Sequence, residues 1–244
     1  MDQAYDTYTA ADHATWRRLF ERQMEQLPAI ASRAYLDGLG QVGFVADHIP
    51  NFNEDTNPRL RALTGWEVYV VPGLIPHRAF YELLAHRQFP ASTWLRSPEQ
   101  LDYLEEPDMF HDTFGHVPLL SNQAFCDFMA DLSRVALRHI DSEEALQCLS
   151  RLYWYTVEFG LIREEGTLKI YGGGILSSPG ESQHCLSAEV PKIDFDVATL
   201  LRTPYHIDRF QERYFVIDSY RQLYESVPEI GELLDEMIGK SVFY

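Results

Sequence analysis

The sequence predicts a mainly α-helical fold with a few short strands, a single domain over residues 1–244. Three observations predict it. Capping residues precede long stretches with helical apolar spacing, at Thr9, Ser121 and Ser142. Runs rich in β-formers are few and short, as at residues 66–71 and 214–217. No repeat, low-complexity tract or linker divides the 244 residues, a length sufficient for one large core.

Thr9 is placed to cap a helix reaching about residue 27, with Trp16, Leu19, Phe20, Gln23, Met24 and Leu27 near one face. Pro28 ends it. Residues 29–37 read as a second helix with Gly38 as its stop. Residues 40–55 read mainly as loop. Asn57-Pro58 opens a short helix, with proline in the first turn, and Gly65 closes it. Residues 66–71 alternate as a strand does. An apolar loop at 72–76 then feeds a helix from His77 to about 87, and residues 89–96 read as a second strand or extended segment. Tyr103 to Glu106 lead into the segment 107–118. Ser121 caps a helix to about 139; Ser142 caps another that is expected to run through Glu158 to about 163. A strand at 167–171, a Gly172-Gly-Gly174 turn and a helix opened by Ser177-Ser178 follow; free N–H groups at such a start favour an anion. Residues 195–201 read as helix or turn, 214–217 as a strand, and 219–240 as helix broken at Pro228.

Composition is that of a globular chain, 45% hydrophobic and 23% charged. A formal charge of −17 argues against nucleic acid and anionic membrane as partners. No apolar run approaches the roughly 20 residues that cross a bilayer, and the N-terminus Met1-Asp-Gln-Ala-Tyr-Asp is unlike a secretory signal. The three cysteines, Cys126, Cys148 and Cys185, are odd in number and widely spaced, so they read as buried thiols of a reducing cytoplasm.

The chemistry concentrates in Pro107-Asp-Met-Phe-His111-Asp-Thr-Phe-Gly-His116-Val-Pro118. Neutral imidazoles are common ligands of transition metals. A spacing of five leaves two side chains roughly 140° apart on an ideal helix, so convergence needs a local break, which Gly115 and Pro118 permit. Two core histidines satisfied by hydrogen bonds are the plain alternative. Glu158 adds weight: it is the only charge in the apolar run 152–162, with no Lys or Arg within four residues. A buried carboxylate without a partner costs several kcal/mol unless it is paired or binds a metal. Two histidines and a distant carboxylate make the facial set of non-haem Fe(II) oxygenases, and equally a catalytic zinc site. His13, His48, His77, His86, His139, His184 and His206 show no partner pattern.

Three stretches in this order resemble the tetrahydropterin-dependent aromatic amino acid hydroxylases, above all the short bacterial phenylalanine 4-hydroxylases. They are His111-Asp-Thr-Phe-Gly-His116-Val-Pro-Leu, Tyr153-Trp-Tyr-Thr-Val-Glu158-Phe-Gly-Leu and Tyr171-Gly-Gly-Gly-Ile-Leu-Ser-Ser-Pro-Gly-Glu181. The likeness spans about residues 9–227. It implies a catalytic core with its iron site in a basket between helices. It implies conversion of L-phenylalanine, O2 and a tetrahydropterin to L-tyrosine and a 4a-hydroxypterin by a non-haem Fe(II)/ferryl route. His111, His116 and Glu158 would hold Fe(II). Gly73, Leu74, Ile75, Phe80, Asp112 and Tyr153 would line the pterin site. Arg96 would grip the substrate carboxylate, a task suited to a guanidinium, with Gly174 and Ser177 nearby and Trp154 and Phe159 as walls for the ring. Asp108 would fix the tautomer of the first histidine and Glu181 would orient Arg96. Members often carry threonine where this chain has Leu104. Tryptophan or tyrosine as substrate, another ring position, a zinc hydrolase on the same three ligands and a non-catalytic amino-acid binder are the rival expectations. The regulatory and tetramerising modules of larger members have no counterpart here, so a cytoplasmic monomer is expected.

Overall fold

The computed structural model of the protein describes residues 1–101, 104 and 106–241. Part of the Tyr103–Glu106 lead-in therefore lies outside the described residues. The helices are α1 Ala10–Met24, α2 Leu27–Ile30, α3 Arg33–Val42, α4 Asn57–Leu63, α5 His77–Ala85, α6 Gln123–Arg138, α7 Glu143–Tyr153, α8 Gly173–Leu176, α9 Pro179–His184, α10 Val197–Arg202, α11 Tyr220–Glu225 and α12 Val227–Ser241. The strands are β1 Glu67–Val70, β2 Gln88–Ala91, β3 Leu161–Glu164, β4 Thr167–Ile170, β5 Lys192–Asp194 and β6 Tyr214–Ile217. β1 and β2 pair in parallel across α5. The other four form a mixed sheet in the order β4-β3-β6-β5. A mainly helical body with a few short strands is the architecture expected.

Local chemistry sets most helix starts. The Thr9 side chain accepts from the Asp12 N–H, and the Asp12 carboxylate returns the bond to the Thr9 N–H. Ser32, Ser142, Ser178 and Ser219 cap α3, α7, α9 and α11 one-sidedly, each side chain accepting a single backbone N–H. Asn122, one residue past the expected Ser121, caps α6. Pro228 sits in the first turn of α12, so the predicted break falls at Ser226.

Two boundaries depart from expectation. Gly38 does not stop its helix: α3 continues to Val42 and ends at Gly43, whose φ of 75° is left-handed. Gly38 instead marks a contact, since a Cβ there would lie 2.1 Å from the Pro118 carbonyl oxygen. The helix expected through Glu158 to 163 stops at Glu158, and Leu161–Glu164 turns into β3, paired with β4 and β6. Leu161 and Ile162 are buried in the sheet, a pairing that an apolar run does not reveal by its periodicity.

The core is continuous from α1 to α12. It is anchored around the segment 110–116 by aromatic rings. Phe110 and Phe114 stack at 4.6 Å, Trp16 meets Phe110 at 5.4 Å, and Phe20 meets Phe114 at 5.2 Å. The Tyr35 hydroxyl donates to the Phe114 carbonyl at 2.8 Å. One side of this segment is thereby pinned into the core, which turns the other side toward a cavity.

Two glycines of α3 give a test of the packing. Gly40→Ala meets nothing within 4 Å and is expected to stabilise by up to about 1 kcal/mol through helix propensity. Gly38→Ala must push Pro118 away and is expected to destabilise by about 1–3 kcal/mol. Thermal unfolding of the two variants measures both, and equal melting temperatures would contradict the close contact.

Candidate active site

His111 and His116 lie on a widened helical turn that spans both residues. Bonds from residue i to i+5 bring positions five apart onto one edge of such a turn. The spacing that would diverge on a regular helix therefore converges without a break. Glu158 sits at the end of a second turn of the same kind, Trp154–Glu158, closed by Phe159 N–H to the Trp154 carbonyl at 2.8 Å. His116 Nε2 is 3.3 Å from His111 Nε2 and 3.3 Å from Glu158 Oε1; Glu158 Oε2 is 3.6 Å from His111 Nε2.

The glycine run closes the arrangement. A Cβ on Gly172 would strike the Glu158 carbonyl oxygen at 2.4 Å, and one on Gly173 would meet the His116 ring at 2.3 Å. Gly115 packs on the other side, where a Cβ would lie 2.6 Å from the Gly173 carbonyl oxygen. Backbone without side chains lets α8 lie directly against both widened turns. Ser177, at the end of α8, donates to the Gly173 carbonyl at 2.9 Å and stands 2.9 Å from His111 Nδ1. Its hydroxyl is thus left to accept the Nδ1–H, which aims the Nε2 lone pair at His116 and Glu158.

Electrostatics fit a cation. Burial opposes charge on Glu158, yet the His116 and His111 rings and the Gly174 N–H hold its pKa down to about 2. Burial lowers the pKa of His116, but Glu158 and Asp112 outweigh it and raise the net value. A divalent ion would supply the positive charge that this carboxylate and its two imidazoles are arranged to face. Three donors about 2.1 Å from one octahedral ion stand about 3 Å apart, so the 3.3–3.6 Å separations need little closure. These are also the only three residues of metal-ligating type that cluster this tightly among the described residues.

The three groups open into a cavity of about 610 Å³. Gly73, Leu74, Ile75, Phe80, Arg96, Asp112, Tyr153, Trp154, Phe159, Gly174 and Ser177, all named from the sequence, line it. Phe80 and Tyr153 meet edge to face at 5.4 Å on one side. On another, Trp154 lies between Phe159 at 4.6 Å and Tyr205 at 4.4 Å. Burial raises the pKa of Asp112, whose carboxylate accepts the Ser92 N–H at 2.7 Å. Tyr205, Ile207, Phe89 and His77 also line the cavity and were missed. Tyr205 and Ile207 stand in an irregular loop far along the chain, where no pattern marks them. His77 was legible in principle, because it precedes Phe80 by one turn of α5.

Two expected contacts are corrected. Asp108 does not touch the His111 ring. It is fully buried, and its carboxylate accepts Arg96 Nε at 2.9 Å, Arg96 Nη2 at 2.8 Å, the Arg96 N–H and the His111 N–H. An aspartate three residues ahead of a helical turn reaches the backbone N–H, not the ring. Glu181 does not reach Arg96, which Asp108 already holds. Capped onto Ser178, it takes the Tyr214 hydroxyl and the Gln211 N–H. Gln211 in turn accepts the Trp154 indole N–H at 2.9 Å, so Glu181 supports the aromatic wall.

The site and the fold together define an enzyme class. This chain belongs to the biopterin-dependent aromatic amino acid hydroxylases, whose sequence profile matches residues 4–239. It is 51% identical over 240 residues to the phenylalanine-4-hydroxylase of Ralstonia nicotianae, covering 98% of this chain and 76% of that one. The phenylalanine-4-hydroxylase of Chromobacterium violaceum is 48% identical over 235 residues, 96% of this chain and 78% of that one. A crystal structure of the Chromobacterium violaceum enzyme with iron(III) and 7,8-dihydrobiopterin superposes with a TM-score of 0.91 at 48% identity, covering 97% of this chain and 86% of that one.

Removing the Ser177 hydroxyl should loosen the ring it orients. Ser177→Ala is expected to weaken iron binding by about 10- to 100-fold with the fold intact, read by chelator competition; unchanged affinity would assign the tautomer to another group.

Arg96–Asp108 makes a pH prediction. Burial raises the Asp108 pKa, but the Arg96 guanidinium and the two N–H groups lower it further, for a net downward shift. Its stabilisation is therefore present above the ordinary aspartate value of about 3.9 and is lost as pH falls through the lower folded value. Asp108→Asn strands a buried guanidinium and is expected to cost about 3–5 kcal/mol at neutral pH. In urea titrations the gap to the parent protein should narrow below about pH 4; a gap independent of pH would refute the ion pair's role.

Proposed function

We propose that the protein hydroxylates L-phenylalanine to L-tyrosine, consuming O2 and a tetrahydropterin at one Fe(II) held by His111, His116 and Glu158. The observation that carries this is the convergence of three metal-ligating groups on a cavity whose other walls are mainly aromatic and apolar, with one buried guanidinium. Relatives named for this reaction support the choice of substrate. Iron and the reduced pterin together supply the activation of O2.

The chain's own residues bind and orient. Ser177 holds His111 in the tautomer that presents Nε2. Arg96, fixed through Nε and Nη2 by Asp108, keeps Nη1 only 3.5 Å from the Leu101 carbonyl and available to a substrate carboxylate. A zwitterion entering an apolar pocket needs such a partner. Trp154, locked by Gln211 and stacked on Tyr205, provides a rigid wall for the substrate ring beside Phe159. Phe80 and Tyr153, with the backbone of Gly73, Leu74 and Ile75, offer a flat apolar seat to the pterin. Holding ring, pterin and iron in register with bulk water excluded is what such a site contributes.

The same reading has the protein work as a monomer in the cytoplasm. Its cysteines are free and buried. Two of its most exposed apolar side chains, Leu74 and Ile207 at 78% each, flank the cavity instead of forming a separate face. No described helix is long and apolar enough to cross a membrane.

The test is turnover of phenylalanine, tryptophan and tyrosine by protein loaded with iron or zinc, with products identified by mass. Tyrosine formed from phenylalanine, one per pterin consumed and only with iron, is the expected outcome. Turnover with zinc, without pterin, or faster with tryptophan would overturn the proposal.

A further inference from the structure

Residues 203–213 run without regular structure between α10 and β6 and bring Tyr205 and Ile207 to the cavity. Residues 205–210 make no backbone-to-backbone hydrogen bond among the described residues. They are gathered instead around Gln211, a side chain only 2% exposed. Its Nε2 donates to the His206 carbonyl at 2.7 Å and to the Arg209 carbonyl at 3.3 Å. Its Oε1 accepts the Trp154 indole N–H at 2.9 Å. The main chain of the same residue is fixed to α9 on both sides. Its N–H donates to Glu181 Oε1 at 3.2 Å, and its carbonyl accepts from His184 Nε2 at 3.0 Å. Phe210 beside it stacks on the His184 ring at 4.9 Å.

The amide can face only one way. An indole N–H only donates and a backbone carbonyl only accepts, so Oε1 must meet Trp154 and Nε2 must meet the loop. Gln211 is not among the residues that line the cavity; Trp154, Phe159 and Tyr205 are. Phe159 and Tyr205 lie 4.6 and 4.4 Å from Trp154, tilted by 31° and 18°. Offset stacking tolerates a range of ring positions, so these neighbours set the tilt of the indole and not its place within its own plane. The bond to Gln211 supplies that remaining coordinate.

We propose that Gln211 is a positioning residue for the reaction: acting through Trp154, it sets which carbon of the substrate ring faces the metal site and how completely pterin oxidation ends in hydroxylation. The inference rests on the pterin-dependent reading above. Arg96 holds the amino-acid end of the substrate, and the ring sits beyond two rotatable bonds, so its register is left to the walls. A misplacement of about 1 Å is enough to change a rate by roughly 100-fold, and neighbouring ring carbons are little further apart than that. An indole free to slide in its plane would admit attack at the carbon next to the para position, and pterin oxidation without hydroxylation.

The experiment compares the iron-loaded parent with Gln211→Met, Gln211→Asn and Gln211→Glu. Methionine has the length of glutamine and no acceptor for the indole N–H. Asparagine is one methylene short of it. Glutamate keeps an oxygen there. Products are separated as 4-hydroxy- and 3-hydroxyphenylalanine and counted against pterin consumed. Nitrogen-15 labelling of the four tryptophans reports the bond itself, the Trp154 indole resonance being the one lost in Trp154→Phe. The parent and Gln211→Glu are expected to give the 4-hydroxy product with pterin fully used. In Gln211→Met the Trp154 resonance should move, product per pterin should fall by about fivefold, the equilibrium weight of one neutral hydrogen bond, and 3-hydroxyphenylalanine should appear. Gln211→Asn should move in the same direction, and it decides the matter if the methionine variant does not fold. The Kd for phenylalanine should change little, because Arg96 is untouched. Fully coupled 4-hydroxylation by a folded variant whose Trp154 resonance has moved would overturn the inference alone. So would scrambled products with that resonance in its parent position. If the parent forms no tyrosine, it is the proposed function that fails.

Discussion

A carboxylate buried with no Arg or Lys beside it is costly by several kcal/mol, and the centre of this protein is arranged around meeting that cost for Glu158. The charge is faced by two imidazoles within 3.6 Å and by one backbone N–H. Each of those partners needs its own support. His111 is held by Ser177, His116 packs against Gly173, and the Gly174 N–H is available because α8 lies close to the Glu158 turn. A side chain at Gly172 or Gly115 would pry these pieces apart. The metal site is thus a consequence of backbone proximity as much as of ligand identity.

Widening of the helix is the second constraint. Both segments that carry ligands leave regular helical geometry at the ligands themselves. Such turns are rare and occur frequently at functional sites. Here the core holds the far side of each turn. Phe110, Phe114, Trp16, Phe20 and Tyr35 interlock behind the histidine turn. Tyr155, behind the Glu158 turn, meets Phe215 of β6 at 5.0 Å. Aromatic packing fixes one face of each turn, and the chemistry uses the other.

Around the metal site, buried polar networks set the recognition surfaces. Asp108 joins the cavity-lining guanidinium of Arg96 to the backbone of His111, so the geometry of the two cannot vary independently. Glu181, through Gln211, does the same for Trp154 and the loop bearing Tyr205. Two carboxylates that look alike in the sequence, each near a motif, serve different walls of one cavity.

The sequence by itself determined the elements with local causes: the capped helices, the short β-rich strands, and the candidate ligands His111, His116 and Glu158, whose chemistry is intrinsic to their side chains and whose order carries the family likeness. It also placed the cavity residues that lie within its three long motifs. Tertiary structure decided what depends on partners far along the chain. That Gly38 is a contact and not a stop depends on Pro118, 80 residues away. That residues 161–164 are a strand depends on β4 and β6, because a short apolar run fits either a helix or a strand. Which atom Asp108 and Glu181 would serve, and that Tyr205 and Ile207 would reach the cavity at all, followed from backbone directions that no spacing encodes. Side-chain identity is local, whereas hydrogen-bond partners are chosen by the burial that folding imposes.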